Sequence, residues 1–140
     1  MLKKSITYVD YNGVERTEDF YFNLNEDETL GYIIGFEGGI ESFIEKVVME
    51  EDAKKLWDLW SDFLLRCYGE KSSDGRRFIK SKELSEGFKQ TKAYTNLMME
   101  LLSDKGDNGD KCAEFINAVV ADVKKDPNKK ALIDSFKVVE

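Results

Sequence analysis

The chain changes its hydrophobic rhythm once. From Ser5 to Tyr11 and from Val14 to Leu24 it is rich in β-formers, and the two runs flank Asn12-Gly13, a dipeptide that favours hairpin turns. A strict two-residue turn would put Ile6 and Tyr8 on the opposite face from Phe20, Phe22 and Leu24. A three-residue loop, with Gly13 left-handed and a bulge, shifts the register by one residue and gathers all five on one face. The bulged turn is therefore the expected one.

After Asn25 the period becomes that of a helix. Asn25 is a cap with Glu28 in capping-box position, and Gly38-Gly39 breaks the short helix that follows. Ile40, Phe43, Ile44, Val47 and Val48, then Leu56, Leu59, Trp60, Phe63, Leu64 and Cys67, trace two buried helix faces. The polar stretch from Gly69 to Gly75 reads as a loop between helices. Ser81 and Thr91 are the next caps, the second for a helix through Tyr94, Leu97, Met98, Leu101 and Leu102. Asp110 is placed to cap a helix with the face Phe115, Ile116, Val119, Val120 and Val123, and Asp126-Pro127 opens a last short one. The predicted fold is α+β, an N-terminal β-hairpin over about 4–24 packed on a mostly helical bundle from about 26. A single domain is expected over 1–124, followed by a charged C-terminal extension over 125–140 that holds a short helix.

Composition narrows the function. The 140 residues suffice for one core. No apolar run approaches the roughly 18 residues of a membrane span. Met1-Leu2-Lys3-Lys4 leads into polar Ser5 and Thr7 instead of a signal peptide's apolar stretch, so a cytoplasmic protein without a membrane partner is expected. Histidine is absent, which removes the commonest general base and metal ligand at neutral pH. Cys67 and Cys112 lie far apart within apolar helical patterns and read as small buried hydrophobes. A net charge of -7 opposes a phosphate backbone, so nucleic acid is not an expected partner.

Two segments imitate ligand loops and fail on spacing. Asp104, Asp107, Asn108, Gly109, Asp110 and Glu114 suggest calcium, but a loop starting at Asp104 has Gly106 third and Phe115 twelfth, where oxygen ligands are needed. Gly69 to Arg77 lacks the Gly-Lys-Ser/Thr ending of a phosphate loop. No catalytic, cofactor or metal residue is assigned. What remains is adaptable surface. Trp57 sits beside the Leu56/Trp60 stripe, Tyr94 with Met98 and Met99 forms a soft cluster, and Arg76 and Arg77 are placed to meet an acidic partner. These six are the candidate partner-binding residues, although the leading reading of each is simply core, core margin or, for the arginines, a solvated turn.

The stretch from Tyr68 to Ser81, the block from Phe88 to Tyr94, and then Met99-Glu100-Leu101 and Ala113-Glu114-Phe115-Ile116-Asn117 resemble a known family in order and spacing. It is the tail assembly chaperone family of long-tailed, siphovirus-type bacteriophages and prophages of Gram-positive bacteria. The resemblance covers about residues 3 to 120. Lys105 to Asp110 looks like an insertion, and Asp122 to Glu140 is a longer charged tail than the family's. The resemblance implies a non-catalytic protein without cofactor that binds the hydrophobic helical tape measure protein, keeps it soluble and helps recruit tail tube subunits. It also implies departure before the virion is complete, and genes of this kind often make a longer second product by programmed frameshifting. A homo-oligomer is compatible with this reading. The alternative is a small acidic phage-encoded regulatory or inhibitory protein that binds a host protein. It ranks lower, because the carboxylates are interspersed with 21 lysines and arginines.

Overall fold

The computed structural model describes residues 1–34, 38–104 and 110–136. Strands β1 (Leu2–Val9) and β2 (Glu15–Phe22) form the N-terminal hairpin. Leu2 faces Phe22 and Val9 faces Glu15, the register in which Ile6, Tyr8, Phe20 and Phe22 share a face. Its turn is the three-residue one. The Asp10 N–H donates to the Val14 carbonyl at 2.8 Å and the Gly13 N–H to the Asp10 carbonyl at 3.0 Å, with Gly13 at φ 81°. The Asp10 carboxylate also accepts hydrogen bonds from Arg16 and from the Val14 and Asn12 amides. These contacts, Arg16 foremost, hold its carboxyl below the usual carboxylate range.

Helices α1 (Glu26–Ile33), α2 (Gly39–Met49) and α3 (Ala53–Cys67) come next. Glu28 accepts from the Asn25 N–H at 3.1 Å, and Asp52 caps α3 by accepting from the Lys54 and Lys55 amides. The stripes of α2 and α3 bury Ile40, Phe43, Val47, Leu56, Trp60, Phe63, Leu64 and Cys67. Burial pushes the Cys67 thiol up, in keeping with an inert core side chain.

Directly after Cys67 the chain returns to strand, so the segment expected as a plain loop between helices is a second hairpin. Strands β3 (Tyr68–Lys71) and β4 (Phe78–Ile79) extend the sheet to the order β1-β2-β3-β4. The strand forms through tertiary pairing that its own polar sequence does not signal. Tyr21 faces Gly69, Phe22 faces Tyr68, and the Asn23 N–H donates to the Cys67 carbonyl at 2.9 Å. A Cβ at Gly69 would lie 2.6 Å from the Phe78 ring and 2.7 Å from the Ile79 carbonyl, so the two strands approach this closely only with glycine there. The fold remains α+β, because these strands lengthen one side of the N-terminal sheet and build no separate central one.

The remaining helices are α4 (Lys82–Lys89), α5 (Lys92–Asp104), α6 (Asp110–Val119), α7 (Ala121–Lys124) and α8 (Pro127–Ser135). Ser81 accepts from the Leu84 amide at 3.0 Å, Thr91 from the Tyr94 amide at 3.2 Å, and Asp126 from the Asn128 and Lys129 amides. The apolar face expected on one helix is divided between α6 and α7, yet Phe115, Ile116, Val119, Val120 and Val123 are all buried. Helix α8 packs against α1, α2 and α7 and buries Ile133.

Aromatic rings join the layers. Phe22 lies edge-on to Tyr68, Phe88 and Phe115, with centroids 6.0, 5.8 and 5.4 Å away. Phe115 meets Trp60 at 5.8 Å and Phe63 at 6.4 Å. Phe22 is therefore a residue at which both hairpins meet the helical core, beside the direct contacts of β1 with α5 and of β3 with α4.

Candidate partner-binding surface

The six residues singled out by sequence separate into three environments. Trp57 on α3 and Met99 on α5 are exposed, at 45% and 57% of their surface. Tyr94 and Met98 are core, at 5% and 1%, so in this structure they do not offer a surface to a partner. Tyr94 is held there by its ring contact with Phe88 at 5.6 Å and by a 3.0 Å hydroxyl–hydroxyl hydrogen bond to Ser61 of α3. The reason is angular. Tyr94 and Met98 are one turn apart on the face that α5 turns inward, whereas Met99 is rotated by about 100° from Met98.

Arg76 and Arg77 lie on the β3–β4 turn, exposed, with no ion pair to their guanidinium groups among the described residues. That turn is ordered by its own polar groups. Ser72 donates to Asp74 at 2.7 Å, Asp74 accepts from the Arg76 amide at 3.0 Å, and the Arg77 amide donates to the Ser72 hydroxyl at 3.0 Å. The Ser72 and Arg76 donors hold the Asp74 carboxyl below the usual range. The two arginines are thus presented from a fixed turn, away from Trp57 and Met99 in the chain.

One surface was missed by sequence reasoning. A groove of about 510 Å³ runs between the sheet and α4, lined by Phe20, Tyr68, Leu84 and Phe88 with Glu70, Glu83, Gly87 and Thr91. Its floor is aromatic. Tyr68 and Phe88 stack at 4.2 Å with an interplanar angle of 8°, and Phe20 lies 5.3 Å from Phe88. A second cleft of about 370 Å³, between β2 and β3, shares Phe20, Tyr68 and Glu70 with the first and adds Glu18, Asp19 and Lys71, whose ammonium lies over the Tyr21 ring. The rim is mainly acidic, and burial, then Glu70 and Glu18, raise the Tyr68 hydroxyl above its ordinary pKa. The signal available beforehand was the block from Tyr68 to Ser81 and the block from Phe88 to Tyr94, which fold beside each other here.

No group of three or more His, Cys, Asp or Glu side chains is placed to hold a metal ion among the described residues. Residues 105–109 and the Asp104 side chain, weighed above for calcium, lie outside the described residues. No helix among the described residues is long and apolar enough to cross a membrane.

A phage tail assembly chaperone family model matches residues 1–135, and the chain belongs to that family. The match runs past the 3–120 span of the resemblance and takes in α8. Neither the curated proteins nor the solved structures contain a match.

Proposed function

We propose that this chaperone binds the tape measure protein of its phage, keeps that long apolar helical chain soluble, and helps bring tail tube subunits to it. The observation that carries the reading is the family match over nearly the whole chain. Exposed apolar side chains on the helices support it. Trp57 on α3 and Met99 on α5 stand outside the core on neighbouring helices, with Met49 and Leu132 also exposed on α2 and α8. Tryptophan and methionine suit this task, one as a large anchor and the other as a side chain that repacks against varied apolar helices. No catalytic step enters the reading, and its setting is the cytoplasm of the infected bacterium.

Co-expression with the tape measure protein of the same phage tests it. The chaperone is expected to move that partner from the insoluble to the soluble fraction, and Trp57→Lys with Met99→Lys to abolish the effect while helical circular dichroism is retained. A wild-type chain that leaves the partner insoluble overturns the reading. A soluble complex with the double variant moves the contact elsewhere on the surface.

A further inference from the structure

The β2 strand has a free side. The Asn23 N–H points to β3, and backbone groups alternate in direction along an antiparallel strand, so Tyr21, Asp19, Thr17 and Glu15 direct theirs to that same side. Only Tyr21 and Phe22 of β2 face β3 residues among the described residues, because β3 peels away after Gly69 to pair with β4. Glu15 to Asp19 are exposed and leave an open ladder that begins where the two clefts meet.

The charges on this edge select its occupant. A second copy of the chain would bring another Glu15 and Asp19 against the first, and like charges juxtaposed across strands repel, while Arg16, the one cation among residues 15–19, lies on the other face beside Glu18. The opposite face of each added residue differs in kind. On the Phe20 side lies the aromatic groove floored by Tyr68 and Phe88, and on the other side lie the Glu15 carboxylate and that of Asp19, which also meets Lys3 and accepts from Ser5 on β1. We infer that the outer edge of β2 takes an extended segment of a partner protein by strand addition. That segment has apolar side chains on one face, one of them seated in the Phe20/Tyr68/Leu84/Phe88 groove, and lysine or arginine on the other. This surface is separate from Trp57 and Met99, and the inference does not depend on which tail protein is the partner.

The test uses the full chain and a synthetic peptide that alternates lysine with valine around one central phenylalanine, with a glutamate-for-lysine peptide as comparison. Amide exchange read by NMR is expected to slow by about tenfold or more at Thr17 and Asp19, whose amides point outward, with no change at Arg16 and Glu18, already bonded to β1. The glutamate peptide is expected not to bind. Glu15→Lys with Asp19→Lys, the two carboxylates on the face that meets the peptide's lysines, should reverse that preference, and Thr17→Pro, which removes one outward donor, should abolish protection by the lysine peptide. If the proline variant does not fold, the charge-reversed variant and the wild-type exchange pattern still decide. Binding without the alternating protection, equal binding of both peptides, or dimerisation of the free chain through this edge would each overturn the inference.

Discussion

The two hairpins of this molecule are built by different means. The first has two eight-residue strands and a turn that its own residues organise, with Gly13 at positive φ and Asp10 gathering Arg16 and two amides. Its register follows from local chemistry. The second has strands of four and two residues, and it is held through Phe22, Tyr68 and the close approach at Gly69. A strand can thus be specified by what it lies against, with little alternation of its own. Both turns nevertheless carry an aspartate that accepts backbone amides, Asp10 in one and Asp74 in the other.

The difference can be broken at the residue the hairpins share. Phe22→Ala is expected to cost about 3–5 kcal/mol in urea denaturation, as for other buried phenylalanine truncations. Protection against amide exchange should fall in both hairpins together; loss confined to β3 and β4 would show that the first stands without the core. Gly69→Ala should cost about 1–3 kcal/mol, since the new methyl meets a ring and a carbonyl, and should loosen the second hairpin while β1–β2 exchange is unchanged. Gly13→Ala meets no atom but keeps the unfavourable positive φ, so a loss of about 1 kcal/mol is expected, read as faster exchange confined to the first hairpin. The smallest effect is that of acid. Asp10 and Asp74 both have lowered pKa values in the fold, so their contribution is present above the unfolded value of about 3.9 and is lost as pH falls through the lower folded values. Asp10→Asn and Asp74→Asn should each flatten the acid limb of the stability curve slightly. An unchanged limb in both variants would assign it to other carboxylates.

The first hairpin was legible down to its register because one residue of slip would have divided Ile6 and Tyr8 from Phe20 and Phe22. The second was not, because Gly69, Glu70 and Lys71 carry no apolar alternation and the pairing partner lies far back in the chain. Helix faces were legible to within a position. Trp57 was placed beside its stripe and is exposed, and Tyr94 and Met98, placed on the apolar stripe of α5 as well as among the partner-binding candidates, turn inward with that stripe. The groove is assembled from Phe20, Tyr68, Leu84 and Phe88, on three elements. Each looks like an ordinary core residue locally, so only their meeting makes a site.

The start of α2 adds an order of events to the fold. Gly38 supplies no side chain to cap it, and the Ile40 N–H donates instead to the Asp134 carboxylate of α8 at 3.1 Å, 94 residues away. Gly39, at φ 77°, leaves the room for that carboxylate, and Lys130 holds it at 2.6 Å while also meeting Glu41 at 3.0 Å. At ordinary rates of translation, Asp134 is added on the order of ten seconds after Ile40. An isolated helix of this length is marginal in water, and during that interval the start of α2 lacks the carboxylate that holds it. The clasp can close only after α8 has been made and folded against it.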